Sequence, residues 1–360
     1  MINVFIAIHS PWNGNPFVST IVESIAANHQ DIAFGWGLEA FWNDDIIQHY
    51  DIIHFEWPSD ILYTYNLSHT ATELQNRLQY LKSKGKKIVS TCHNLKPHYC
   101  NDKNIIESYI VVYKESDIII HLGEYSFNLF EKSSFQAKNI LIYHHIYDTY
   151  YTTIADKKTS RNYLGWKHDK LYILCMGAIR DKEERSFIYT IAHHLQKKKA
   201  YLVVPSFLNL PTNSYINRIK RKIIKTYLRN VRNIVITGES SIPVKDKDIP
   251  FYYGGADITL IPRLNTLNSG TLFLSLLMGK PIIGPRVGNI GPLLEKLQNP
   301  TFDPQQIDSA VKCIDALCNQ DELLLLGLRN REFALANLST KYISEKNYNV
   351  YRSCMLPNSI

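Results

Sequence analysis

Short, unbroken apolar runs alternate with longer helix-like stretches along the whole chain, and this alternation restricts the fold more than any other feature. In the first half the runs cover residues 4–8, 52–55, 87–91, 118–121 and 140–143, with helical patterns at 17–27, 73–84 and 104–114 between them. The runs are continuous rather than alternating in polarity, as parallel strands buried on both faces require. Strand, helix, parallel strand is the repeating unit of a doubly wound sheet. After a polar, irregular stretch at 152–170, read as a linker, the pattern resumes. Strands are expected at 171–176, 200–204, 233–236, 258–261 and 281–283, an apolar helix at 271–278, and a polar-aromatic helix at 339–355 carrying Tyr342, Tyr348 and Tyr351.

The expected fold is therefore α/β, with two Rossmann-like doubly wound domains facing a cleft. Residues 1–165 form the first and residues 166–338 the second, and a helix within 339–360 crosses back to the first. A chain of 360 residues is long enough to bury two cores. Ligands of such sheets bind at the carboxyl ends of the strands.

Charge separates the two halves. Residues 1–165 hold 13 basic and 17 acidic side chains, and residues 166–360 hold 27 and 16. A basic second half suits a phosphate-bearing ligand, an anionic membrane surface or nucleic acid, and charge alone does not choose among them. Nucleic acid is disfavoured, because the basic residues are not interleaved with aromatics in any recognised module. No apolar run approaches the ~18 residues of a membrane span. The N-terminus lacks the basic and small-residue marks of an export signal, so the expected location is the cytoplasm. Cys92, Cys100, Cys175, Cys313, Cys318 and Cys354 are scattered without a C-x-x-C pair. They are read as reduced thiols, not as a disulfide framework or a zinc site.

Several loops after strands carry residues fit for chemistry. Residues 263–285 read RLNTLNSGTLFLSLLMGKPIIGP. Asn268 or Ser269 is placed to cap a helix whose first amides face the loop, and Gly270 leaves room for a close ligand, so Ser269, Gly270 and Thr271 could cradle a diphosphate. The plain alternative is an N-cap before a core helix. In LCMGAIRDKE (174–183) a strand runs into Gly177, Arg180 and Lys182, whose plain reading is an exposed charged loop. TCHNLKPH (91–98) places His93 and His98 after a strand, and HFEWP (54–58) does the same for Glu56 and Trp57. SPWNGNPF (10–17) fills the first strand-to-helix loop with Gly14 and Asn15. It is not a G-x-G-x-x-G fingerprint, which argues against a dinucleotide cofactor. Asp246 and Asp248 have metal-ligand spacing but read as a solvated loop, and no metal or cofactor is expected. The basic stretch 218–232 could lie on an anionic membrane, although a solvated helix face is favoured.

These segments together resemble the GT-B glycosyltransferases, in particular retaining family 4. The likeness rests on Ala256-Asp257-Ile258 and its strand, on Tyr252-Tyr253 before it, and on Ser275 to Pro281 with its Gly-x-Pro. Gly177 to Arg180 and the His93-Asn94 pair add to it. The resemblance implies a glycosyltransferase that moves a sugar from a nucleotide-diphosphate sugar to a saccharide or lipid-linked acceptor, in surface polysaccharide or glycan synthesis and without a metal. By the same resemblance Gly14, Arg180, Lys182, Ser269, Gly270 and Thr271 hold the diphosphate. Asn15, Glu239, Thr266 and Asn268 meet the donor sugar or base. His93 acts in catalysis, and Glu56, Trp57 and His98 line the acceptor side. One departure stands: the positions where the family has two glutamates hold Thr266 and Leu274 here, so the donor-sugar contact and the retaining outcome are not carried over. A sugar-nucleotide epimerase of the same fold, or a non-catalytic sugar-nucleotide-binding partner subunit, are the alternatives.

Overall fold

The computed structural model describes the chain except residues 13, 64–67, 98–99, 197, 199, 208–213, 237–243, 318–319 and 357–360. It divides into two compact units, Met1–Tyr150 with Asn337–Ile360, and Tyr151–Ala336.

The first unit is built on a six-stranded sheet of order β2-β1-β3-β4-β5-β6. Its strands are β1 (Ile2–Ile6), β2 (Ile32–Trp36), β3 (Ile52–Phe55), β4 (Lys87–Cys92), β5 (Ile118–His121) and β6 (Lys138–Leu141), and every pair is parallel. β3 and β5 are buried along their whole length, which explains why their sequences are uninterrupted apolar runs. Phe5, Phe41, Phe55, Leu74, Leu78 and Ile88 pack as the core on one face. The helix Thr340–Cys354 closes this unit. It packs against the helix Phe17–Asn28, where Ser24 and Ser344 share a hydrogen bond of 2.7 Å and Tyr348 stacks on His29 at 3.5 Å.

The second unit repeats the design with the order β12-β11-β10-β7-β8-β9. Its strands are β7 (Leu171–Leu174), β8 (Ala200–Val203), β9 (Ile234–Val235), β10 (Ile258–Leu260), β11 (Ile282–Pro285) and β12 (Thr301–Phe302), again all parallel. The unit starts at Tyr151 because the stretch read as a linker contains the helix Lys157–Leu164. Asp156 caps it by accepting from the Thr159 amide, and Gly165 ends it at φ 65°. Its Arg161 is 1% exposed and donates to Gly255 O, His168 O and the Asp257 carboxylate.

An Asp-Ile pair recurs at the amino ends of three strands and fixes their register. Asp51, Asp117 and Asp257 stand just before β3, β5 and β10, and their carboxylates accept from Asn3 N, Ile88 N and Tyr172 N at 2.8 Å each. Each carboxylate thus satisfies an amide that opens the neighbouring strand, β1, β4 or β7. The loops that carry the expected site residues leave the opposite, carboxyl ends of the strands.

Candidate functional site

Loops after β7 and β10, adjacent strands of the second unit, meet through a buried ion pair. Arg263, just beyond β10, donates from Nη1 to Glu184 Oε2 at 2.6 Å and from Nη2 to Ala178 O at 2.6 Å. Both side chains are almost wholly buried. Glu184 lies in the first turn of the helix Lys182–Gln196, and its Oε2 also accepts from Arg180 N at 2.8 Å. The loop that carries Gly177 and Arg180 is therefore held by its own backbone against a side chain from β10. Gly177 adopts φ +100°, and a Cβ there would lie 3.1 Å from Arg263 Nη2 and 3.8 Å from Thr271 Oγ1. The positive φ thus favours glycine, and a Cβ would also press on the Arg263 guanidinium. Gly177 also places the loop beside the start of the helix Gly270–Leu277.

That helix begins and ends one residue earlier than expected, at Gly270 and Leu277, and its cap also differs from expectation. Ser269 occupies the N-cap position and makes no side-chain capping bond. Asn268 is committed elsewhere, with Oδ1 accepting from Asn289 Nδ2 at 2.9 Å. The Ser269 side chain therefore does not tie up the first-turn amides, which suits an anion cradle. The loop before the helix is pinned on the turn after β11. Asn289 N donates to Leu267 O at 2.8 Å, and Thr266 is buried with its hydroxyl donating to Asn268 O at 2.9 Å. Gly288 packs so close that a Cβ would sit 2.5 Å from the Thr266 and Leu267 carbonyl oxygens. Arg180 and Lys182 are both exposed. Lys182 shares the outer face of its helix with Arg185, Ser186 and Tyr189 along a shallow groove. Asp246 and Asp248 accept hydrogen bonds from the hydroxyls of Tyr151 and Tyr163 at 3.0 and 2.8 Å. Among the described residues no group of His, Cys, Asp or Glu is arranged to hold a metal.

In the first unit the carboxyl ends of β3 and β4 bring Glu56, Trp57 and His93 together. His93 Nε2 lies 2.6 Å from Glu56 Oε2, with both side chains buried. Trp57, half-buried, stacks on the His93 ring at 4.6 Å and 19°. Phe17 meets the same ring edge-on at 4.9 Å. Behind them His54 bridges Thr91 Oγ1 (2.8 Å) and the Tyr351 hydroxyl of the terminal helix (2.7 Å). Its Nε2 is 3.7 Å from Glu56 Oε1. Burial alone would raise the Glu56 carboxyl. The neighbouring His54 and the hydrogen bond from His93 outweigh it and hold the group below its ordinary value. His54 is pushed down by burial, against the pull of Glu56. A carboxylate that accepts from one ring nitrogen fixes the tautomer and orientation of that histidine.

A second group joins this one through Phe17, which touches His144 at 4.5 Å and His145 at 5.1 Å. Both histidines follow β6. Burial holds His144 well below the usual imidazole value and His145 at about 4. Tyr147 has φ 62°, a conformation that a bulky residue rarely adopts. Its hydroxyl lies 3.2 Å from His144 Nε2 and 3.2 Å from Asn15 Oδ1, and its amide donates to His145 Nδ1 at 3.1 Å. Asn15 also accepts from Phe17 N, closing the loop that Gly14 enters at φ +87°. His98 and Glu239 lie outside the described residues. His144, His145, Tyr147 and Glu184 carry no assigned role in the sequence reading, and His54 and Arg263 enter it only as the first residues of the segments 54–58 and 263–285. The His-His pair directly follows a strand run.

No protein-family model and no curated protein matches the chain. Solved structures do. The chain is similar to sucrose-phosphate synthase from Thermosynechococcus elongatus, with TM-score 0.71 and 15% identity over 98% of each chain. Its fold is GT-B. HepE from Anabaena in complex with UDP-glucose shares it at TM-score 0.68 and 12% identity, over 98% of this chain and all of that one (100%). So does a candidate UDP-N-acetylglucosamine 2-epimerase from Listeria monocytogenes, at TM-score 0.60 and 13% identity, over 98% and 96%. At these identities the likeness carries the GT-B fold, and the chemistry has to be argued from this chain's own residues.

Proposed function

We propose that the protein is a glycosyltransferase that moves a sugar from a nucleotide-diphosphate sugar to a saccharide or lipid-linked acceptor. It would need no metal ion and would work in surface polysaccharide or glycan synthesis, in the cytoplasm or at the inner face of its membrane. The observation that carries this reading is the junction of the Gly177–Arg180 loop with the start of the helix Gly270–Leu277, fixed by Arg263 and Glu184. Backbone amides that the Ser269 side chain leaves uncapped, and a glycine whose Cβ would press on Arg263, suit a diphosphate. On this reading Arg180 and Lys182 offset the charge that grows on the leaving diphosphate, an electrostatic role that a positioned cation can fill. The amides of Ser269, Gly270 and Thr271 hold its oxygens, with Gly14 assigned to the same group. Asn15, Asn268, Thr266 and Glu239 are assigned to the sugar or base. Thr266 would contribute mainly through its backbone, because its hydroxyl is already engaged.

In the first unit, His93 is the proposed catalytic group and Glu56 its positioning partner. Trp57 and His98 are assigned to the acceptor side. UDP-glucose bound to HepE, a solved structure of the same fold, supports a nucleoside-diphosphate sugar as the class of donor. Resemblance to family 4 and the departure at Thr266 and Leu274 remain part of this proposal. The test is product analysis after incubation with UDP- and GDP-sugars in metal-free buffer. Free nucleoside diphosphate with a new glycoside supports transfer. An epimerised sugar would instead assign the epimerase reading, and binding without turnover would assign a non-catalytic partner.

A further inference from the structure

The helix Tyr215–Arg232 carries a row of apolar residues on the side turned away from the unit it packs against. Arg221 and Leu228 are its buried side chains, and Ile224 packs in part on the core of the second unit. On the opposite side Ile216 is 64% exposed, Ile219 43%, Ile223 63% and Tyr227 49%, with Tyr215 at 77% extending the row. At 100° per residue these positions form one ridge, centred roughly opposite the buried pair. Lys220 lies on one flank of the ridge, and Lys222 and Arg229 lie on the other, all three exposed. The helix contains seven Lys or Arg residues and no Asp or Glu. A helix on the surface of a globular protein ordinarily buries its apolar stripe and turns its polar face outward.

We propose that this helix lies in the headgroup layer of an anionic lipid bilayer, with Ile216, Ile219, Ile223 and Tyr227 in the acyl boundary and Lys220, Lys222 and Arg229 on lipid phosphates. An apolar ridge flanked by cations matches a surface that is negative outside and apolar beneath. A second copy docked on the ridge would instead set these flanking cations against their own kind, with no acid on the helix to offset them. The inference refines the placement at the inner membrane face given above and does not depend on the transfer chemistry.

Flotation of the full chain with phosphatidylcholine vesicles, with and without phosphatidylglycerol, tests it. The account expects binding to the anionic vesicles alone, weakening as salt is raised. Loss of an attracted cation lowers partition about fivefold, so Lys220→Glu with Lys222→Glu should reduce binding by roughly 25-fold or more. Ile219→Ser with Ile223→Ser should abolish it at high salt. Thermal shifts with UDP- and GDP-sugars should be unchanged in both variants, which keeps a failure here distinct from a failure of the donor reading. The proposal is overturned if the wild type ignores anionic vesicles at low salt or if the variants float as well as the wild type. It is also overturned if the isoleucine variant abolishes a concentration-dependent dimer, which would give the ridge to a second copy.

Discussion

Replacing Arg263 with methionine removes the charge that ties β10 to the Gly177–Arg180 loop while keeping much of the buried volume. Two hydrogen bonds of 2.6 Å disappear, and the Glu184 carboxylate is left buried with the Arg180 amide as its remaining described donor. Breaking one side of a buried pair costs about 3–5 kcal/mol, because the other charge stays out of water. For a unit of this size each kcal/mol lowers Tm by ~2–4 °C, so the second unit should melt roughly 6–20 °C lower. The assay is urea and thermal unfolding of Arg263→Met, Glu184→Leu and the double variant. The double variant should recover much of the loss, since an apolar pair can replace a buried ion pair at little cost. A loss under about 1 kcal/mol in Arg263→Met, or a double variant equal to the sum of the singles, would refute the claim that this pair anchors the loop.

Gly177→Ala should destabilise the second unit by roughly 1–3 kcal/mol through its positive φ and the approach to Arg263, and it should weaken nucleotide-sugar binding in a calorimetric titration. His93→Ala should lower the turnover number by about 100-fold or more, the usual scale for a positioned acid–base group. Glu56→Gln, which keeps the shape but loses the carboxylate, should alter the pH profile of the rate more than the Michaelis constant. Stability should fall as pH drops from 6.5 towards 4, because His121 and His145 are held by burial at about 4 in the folded chain. In that window the unfolded chain takes up protons that the folded chain refuses, so stability rises with pH there. His121→Phe should flatten the profile by roughly 1.4 kcal/mol per pH unit in the same window, as read from unfolding curves at several pH values. Glu56 acts at lower pH: its carboxyl is depressed, so its contribution is complete above the unfolded value near 4.5 and is lost as pH falls through the folded one.

The strands that the sequence marked most clearly are the central ones. β3 and β5 coincide with the expected runs 52–55 and 118–121, because a strand covered on both faces has to be apolar throughout. The two strands that were missed, β2 and β12, lie at sheet edges, and β2 is buried at Ile32 alone among its residues. The linker reading failed for a different reason. Lys157, Lys158 and Arg161 look solvent-bound, yet Arg161 is buried on Asp257 and two carbonyl groups, and the Asp156 and Gly165 helix signals were present but outweighed by charge. For the candidate site, the loops could be read and their connections could not. Glu184 shows as one of several acids on a charged helix, and its tie to Arg263 spans 79 positions. The Glu56–His93 pair likewise joins the ends of two strands, which sequence order does not reveal. The outward apolar ridge at 216–227 was also hidden, because the sequence shows that the helix is amphipathic and not which side the sheet takes.

A thermal-shift titration of UDP- and GDP-sugars in metal-free buffer, on the wild type and on Arg180→Ala, tests the central claim most directly. Ligand at 100 times its dissociation constant stabilises by about 2.7 kcal/mol. The account predicts a clear rise in Tm with one nucleotide class and most of it lost in Arg180→Ala. A melting curve that no nucleotide sugar moves, or a rise that Arg180→Ala leaves intact, would contradict the proposed donor site.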